Sequence, residues 1–237
     1  MILKKALVIQ SGGMDSALCL AEAIRKFGRS EVLSVTFSYQ QRHSIEIERA
    51  AKICSDWGVD QIVLELGFLN QITENALLDK RMKISQADGS PPNTLVVGRN
   101  GLMARIGAIH AHSLGAKEIY MGVIGVEGAH SGYRDCSRTY MDKMEEILRI
   151  DLDQPEFKIV TPLVAMTKEE TMEFGQSLGV LNYLLETTVT CYEGKEKEGC
   201  QGCPACKLRN QGILRFFNKN PSLPKPSYFG RIIPVSD

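Results

Sequence analysis

Apolar residues along the chain switch between two spacings. Residues 3–10 form a short apolar run containing Val8 and Ile9, which stops at Ser11-Gly12-Gly13. Over residues 16–27, Leu18, Cys19, Ala21 and Ile24 fall on one face at helical spacing. The pair predicts a strand, a tight turn and a helix. Residues 31–37 are again β-rich, and residues 43–57 place Ile45, Ile47, Ala50, Ala51, Ile53 and Cys54 with the three- and four-residue spacings of an amphipathic helix. Gly58 ends that helix, as glycine past a helix terminus commonly does. The same reading gives strands at 61–66, 118–123 and 157–160. It gives helices at 100–114, stopped by Gly115, and at 167–178, stopped by Gly179, with a further helix starting near Ala205.

Strands that alternate with helices predict an α/β fold, a parallel sheet with helices on both faces. Ligands of such sheets bind beyond the carboxyl ends of the strands, which puts Ser11, Ser38 and Gly122 at the candidate site. Residues 79–97 break every period around Asp88-Gly89-Ser90-Pro91-Pro92-Asn93, and residues 122–132 are glycine-rich. Both are expected to be functional loops. The expected domain division is 1–185 for the α/β unit and 186–237 for a small C-terminal lobe.

Composition narrows the picture. The 237 residues are 43% hydrophobic and 24% charged, ordinary for a globular chain with a full core. Lys plus Arg and Asp plus Glu both number 28, so no global positive field draws the chain to nucleic acid or an anionic membrane. No apolar run approaches the ~20 residues of a membrane span. The N-terminus lacks the pattern of a secretory signal, so a cytoplasmic location is expected. There cysteines stay reduced. Of seven cysteines, Cys191, Cys200, Cys203 and Cys206 crowd together, which points to a metal site and not to a disulfide framework. Cys19 and Cys54 sit on apolar helix faces and are expected in the core.

Two segments carry chemistry. In Ser11-Gly12-Gly13-Met14-Asp15-Ser16, the glycines let backbone approach an anion, the helix N-terminus supplies unpaired amides, and two serines add hydroxyls. A carboxylate at Asp15 fits if Mg²⁺ accompanies the phosphates. Neither the Gly-Lys-Ser/Thr of a Walker loop nor a dinucleotide fingerprint is present. The second segment, Cys191-x₈-Cys200-x₂-Cys203-x₂-Cys206, offers four thiolates at spacings compatible with tetrahedral Zn²⁺. Four sulfur ligands leave no open position, so the site reads as structural, with an iron–sulfur cluster as the alternative.

The first segment resembles the SGGxDS motif of the PP-loop ATP pyrophosphatases. With the cysteine pattern and other motifs the chain resembles the 7-cyano-7-deazaguanine synthase (QueC) family. Those motifs include Val35-Thr36-Phe37, Tyr39, Gln41-Arg42-His43, Gly98-Arg99-Asn100, Gly122-Val123, Gly132-Tyr133, Asp135-Cys136, Thr161-Pro162-Leu163 and Arg209. The resemblance implies a C–N ligase that uses ATP with Mg²⁺ to turn 7-carboxy-7-deazaguanine and ammonia into the nitrile, and a homodimer. It implies phosphate contacts from Ser11 to Ser16 and from Lys168, with Ser11, Asp15, Ser16 and Lys168 catalytic. ATP contacts extend to Thr36, Phe37, Arg99 and Gly122, and substrate contacts to Arg42, His43, Arg99, Tyr133 and Asp135. His43 also reads as a surface cap, and Cys136 stays open.

The chain departs from the family's usual wording at Ser38, Gln40, Val97, residues 124–130 and Arg134, around the acceptor side. That leaves a paralogue using another amine as an alternative. A PP-loop tRNA-modifying enzyme and a non-catalytic zinc-ribbon module are the remaining ones.

Overall fold

The computed structural model describes residues 3–39, 44–79, 81–85, 92–128 and 132–234. In chain order the elements are β1 (Ala6–Ile9), α1 (Met14–Phe27), β2 (Val32–Ser38), α2 (Ile45–Trp57), β3 (Asp60–Glu65), α3 (Leu69–Ile72) and α4 (Arg99–Ser113). Then come β4 (Glu118–Met121), α5 (Gly125–Gly128), α6 (Arg138–Leu152), β5 (Lys158–Val160), α7 (Lys168–Ser177), α8 (Leu181–Thr187) and α9 (Pro204–Lys219).

The strands form one five-stranded sheet in the order β3-β2-β1-β4-β5. Every pairing is parallel, with Ala6 level with Val32 on one side and with Glu118 on the other. The chain starts in the middle, moves outward through β2 and β3, and crosses to β4. Connections therefore leave β1 and β4 in opposite directions, which opens a crevice above their carboxyl ends.

Side-chain alternation along β1 fills two cores. Ala6 and Val8 enter one with Leu18 of α1, Leu184 of α8 and Phe216 of α9. Leu7 and Ile9 enter the other with Met103 and Ala104 of α4 and with Met141 and Leu148 of α6. A strand buried on both faces is what an apolar run without alternation encodes. Cys19 and Cys54 lie in the first core, as expected of them. Helix α4 buries Gly101, Ala104, Gly107, Ala108 and Ala111, and this small-residue face lets it lie close on the sheet.

Helix α6 was absent from the elements expected from sequence. Its signals are nonetheless local: Ser137 Oγ accepts the Tyr140 amide at 3.2 Å as an N-cap, and Met141, Met144, Leu148 and Leu152 follow at three- and four-residue spacing. Helix α8, also unexpected, is only one to two turns long and begins two residues after Gly179. Part of the loop expected at 79–97 and of the one at 122–132 lies outside the described residues, as do Arg42 and His43. Within the second loop the chain forms the single turn α5. No helix of the described residues is long and apolar enough to cross a membrane.

Candidate active site and metal centre

The turn leaving β1 is held by its own hydroxyls. The Ser11 amide donates to Ser16 Oγ at 3.1 Å, Ser16 Oγ donates to the Gly13 carbonyl at 3.0 Å, and the Gly13 amide reaches Ser11 Oγ at 3.4 Å. Two glycines are required by close approach. Gly12 has φ +82°, and a Cβ there would sit 2.0 Å from the Glu46 carbonyl oxygen. A Cβ on Gly122, just past β4, would come within 2.6 Å of the Ser16 amide nitrogen. The loop is thus wedged between the start of α2 and the end of β4. Gly13 caps α1 without a side-chain bond, so no cap side chain competes with an anion for the first-turn amides.

Lys168 enters from α7. A capping box fixes the start of that helix: the Glu170 amide donates to Thr167 Oγ1 at 3.2 Å, and the Thr167 amide donates to Glu170 Oε2 at 2.7 Å. Lys168 is only 4% exposed, and its ammonium is ion-paired with Asp15. The sequence separates these residues widely; the fold places them face to face at the turn that follows β1.

A cavity of about 520 Å³ opens above this loop. Of the residues singled out from sequence, Ser11, Gly13, Met14, Asp15, Ser16, Thr36, Phe37, Arg99, Gly122, Tyr133 and Lys168 line it. Gly12 lies in the turn beneath. Asp135 is buried away from the lining, where its Oδ2 accepts the Asn100 amide at 3.1 Å and anchors the first turn of α4. That turn carries Arg99. The Arg99 guanidinium lies 5.7 Å from the Tyr39 ring centroid and donates to Tyr39 Oη at 3.4 Å. Burial works against its charge, but Tyr39, Tyr192, Asp135 and Glu46 together hold its pKa above the ordinary value.

Among the lining residues not singled out from sequence as site groups are Glu46, Tyr192, Lys207 and Gln211. Burial pushes the Glu46 carboxyl up to about 7, while Arg99 pulls it down and Cys191 adds to the rise. Tyr192 takes part in a chain of hydroxyls, with Thr94 Oγ1 2.6 Å from Tyr133 Oη and Tyr133 Oη 3.2 Å from Tyr192 Oη. Cys136 also lines the cavity, but burial, with the charge of Asp135, pushes its thiol up to about 12. At neutral pH it is a protonated thiol and a poor nucleophile.

Beside the cavity the Sγ atoms of Cys191, Cys200, Cys203 and Cys206 all lie within 4.8 Å of one another, and none is in a disulfide. A tetrahedral ion with metal–sulfur bonds of about 2.3 Å needs sulfurs about 3.8 Å apart, so the four can close on one ion with little movement. The amides of Glu193, Cys203 and Cys206 donate to Cys191, Cys200 and Cys203 sulfurs at 3.4, 3.2 and 3.4 Å. Such donors favour sulfur in its thiolate form. The donor set therefore fits a soft or borderline metal ion in a closed, four-sulfur site. Segment 189–192 links the two centres, because the Val189 amide reaches the Gly12 carbonyl at 3.3 Å two residues before Cys191.

Fold and site together define an α/β protein with a glycine turn at the switch point of a parallel sheet, joined to a cluster of four cysteines that could hold a metal. The family described as "Queuosine biosynthesis protein QueC" matches residues 5–217, and the chain belongs to it. Among solved structures, the chain is similar to an NH3-dependent NAD synthetase from Campylobacter jejuni subsp. jejuni at 14% identity and TM-score 0.49, covering 96% of this chain and 82% of that one. It is also similar to an NMN synthetase from Francisella tularensis, at 11% identity and TM-score 0.49, covering 99% and 89%. A U34-tRNA thiolase from Methanococcus maripaludis aligns at 16% identity and TM-score 0.48, covering 93% and 68%.

Proposed function

We propose that the protein is an ATP-dependent ligase that activates the carboxylate of 7-carboxy-7-deazaguanine and converts it, with ammonia, to 7-cyano-7-deazaguanine. Membership of the QueC family supports the substrate class. The observation that carries the reading is a cavity whose lining joins Ser11, Gly13, Asp15, Ser16 and Lys168 to Arg99 and Tyr133. A carboxylate oxygen is a poor leaving group, so an amine cannot displace it directly. Attack of that oxygen on the α-phosphorus of ATP releases pyrophosphate and leaves an acyl adenylate. Ammonia expels AMP to give the amide. A second adenylation on the amide oxygen, followed by loss of AMP and of the nitrogen's protons, leaves the nitrile.

The chain's part is positioning and charge stabilisation. First-turn amides of α1 and the hydroxyls of Ser11 and Ser16 would hold the pyrophosphate oxygens. Backbone at Thr36 and Phe37 would meet the adenine, Lys168 would neutralise charge developing on phosphate, and Asp15 would hold the Mg²⁺ that arrives with ATP. Arg99 suits a carboxylate or a phosphate, since its guanidinium binds either bidentately. The four cysteines would hold Zn²⁺, which supplies rigidity and no open coordination position.

Product analysis by mass spectrometry after mixing protein, ATP, Mg²⁺, 7-carboxy-7-deazaguanine and ammonium tests the reading. Nitrile is the expected product. The sequence departures around residues 124–130 and at Arg134 favour a second reading, in which a different amine is the acceptor. Amide as the final product, or an adduct with an added amine, would support that one instead. Absence of both AMP and modified deazaguanine would reject both readings.

A further inference from the structure

The phosphate end of the cavity carries less free positive charge than the sequence suggests. The charged residues lining the cavity are Asp15, Glu46, Arg99, Lys168 and Lys207. Lys168 is already engaged by Asp15. Arg99 stands among Tyr39, Glu46 and Asp135. Lys207 is exposed and forms no ion pair among the described residues. Among the described residues it is therefore the cavity cation with no carboxylate beside it.

Its place in the fold is set from two sides. The helix that carries it, α9, begins at the cluster, with Cys203 as its N-cap and Cys206 in its first turn. Further along, Gly212 packs on α7 so closely that a Cβ there would lie 2.7 Å from Lys168 Cβ. Five residues separate Gly212 from Lys207, a rise of about 7.5 Å along the helix. Lys207 and Gln211 are four apart, on one face, and both line the cavity. Lys207 stands about 140° around the helix from Gly212; α9 thus packs on Lys168 along one side and presents the Lys207 ammonium to the same cavity from the next.

We propose that Lys207 is a second phosphate-binding cation of the nucleotide cavity, presented by the helix that the cysteine centre anchors. The proposal rests on the ATP reading above. Lys168 would meet the phosphate oxygens nearest the Ser11–Ser16 loop, and Lys207 those at the outer end of the chain. An exposed ammonium keeps its hydration until the anion arrives, and its long, flexible stem allows it to close over the phosphates.

The test is calorimetric binding of Mg-ATP and of AMP to metal-loaded wild type, Lys207→Gln and Lys207→Arg. Lys207→Gln is expected to weaken ATP binding about tenfold, the scale of one charge-assisted contact. It should leave AMP binding unchanged and flatten the salt dependence of ATP binding. Lys207→Arg should keep most of the affinity. Equal ATP affinity in wild type and Lys207→Gln would overturn the proposal, and so would an equal loss for ATP and AMP. A wild type that binds neither nucleotide would remove the ATP reading itself, an outcome distinct from either of these.

Discussion

Glu46 shows how one side chain acquires chemistry from its surroundings. In sequence it is an ordinary acid in the first turn of an amphipathic helix, where the helix dipole favours its charge. In the fold its carboxyl is enclosed by the cavity wall, and burial outweighs the attraction of Arg99 so that its pKa moves from 4.5 to about 7. The folded state then holds a proton that the unfolded chain has released. The stability this contributes is complete below about pH 4.5 and is lost as pH rises through about 7. Glu46→Gln, which keeps a neutral group at every pH, should gain stability relative to wild type between about pH 5 and 8. Chemical denaturation of both proteins, with metal saturating, measures this; parallel pH profiles would mean that the carboxyl ionises in the fold as it does in the unfolded chain. Asp135 acts on its neighbours instead: its carboxylate accepts the Asn100 amide and fixes the start of the helix that bears Arg99.

Among the elements, α7 most directly joins local sequence to the site. Thr167 and Glu170 form a reciprocal cap that settles where the helix starts, and the first residue after the cap is Lys168. Removing the cap should act on both stability and binding. Thr167→Ala is expected to cost ~1 kcal/mol of stability and, by loosening the turn that aims Lys168, to raise the Kd for ATP several-fold. Urea melts and calorimetry read the two effects separately; a stability loss without a binding change would detach the cap from the phosphate site. The ends of α2, α4 and α7 were legible because a glycine stop follows each: Gly58 occupies the left-handed conformation that ends α2, with φ 66° and ψ 42°, and Gly115 and Gly179 also have positive φ. Helix α6 bears equally local signals, and its absence from the expected elements reflects a pattern passed over and not one missing from the sequence.

For the molecule as a whole, the question is how the cysteine centre and the cavity beside it depend on each other. Helix α9 leaves the cysteines, passes Lys168, and ends with Phe216 and Phe217 in the same core as β1 and α1. Metal binding is therefore expected to stabilise more than its own loop, since affinity for the folded site is folding free energy. At a metal excess of a thousand over Kd the contribution is ~4 kcal/mol, which for a chain of this size is about 8–16 °C in Tm. Scanning calorimetry before and after chelation tests this, and an unchanged Tm would separate the centre from the core. The parallel α/β plan, the Ser-Gly-Gly turn after β1 and the grouping of four cysteines that could hold a metal were legible in the sequence itself, because each is written in local spacing. Only the tertiary structure decided that Asp15 meets Lys168, that Tyr133 and Tyr192 join hydroxyls, and that Glu46 and Lys207 face the same cavity. Those pairs lie far apart along the chain, and what brings them together is the crossing of the sheet at its switch point and the packing of α9 against α7, neither of which any local spacing encodes.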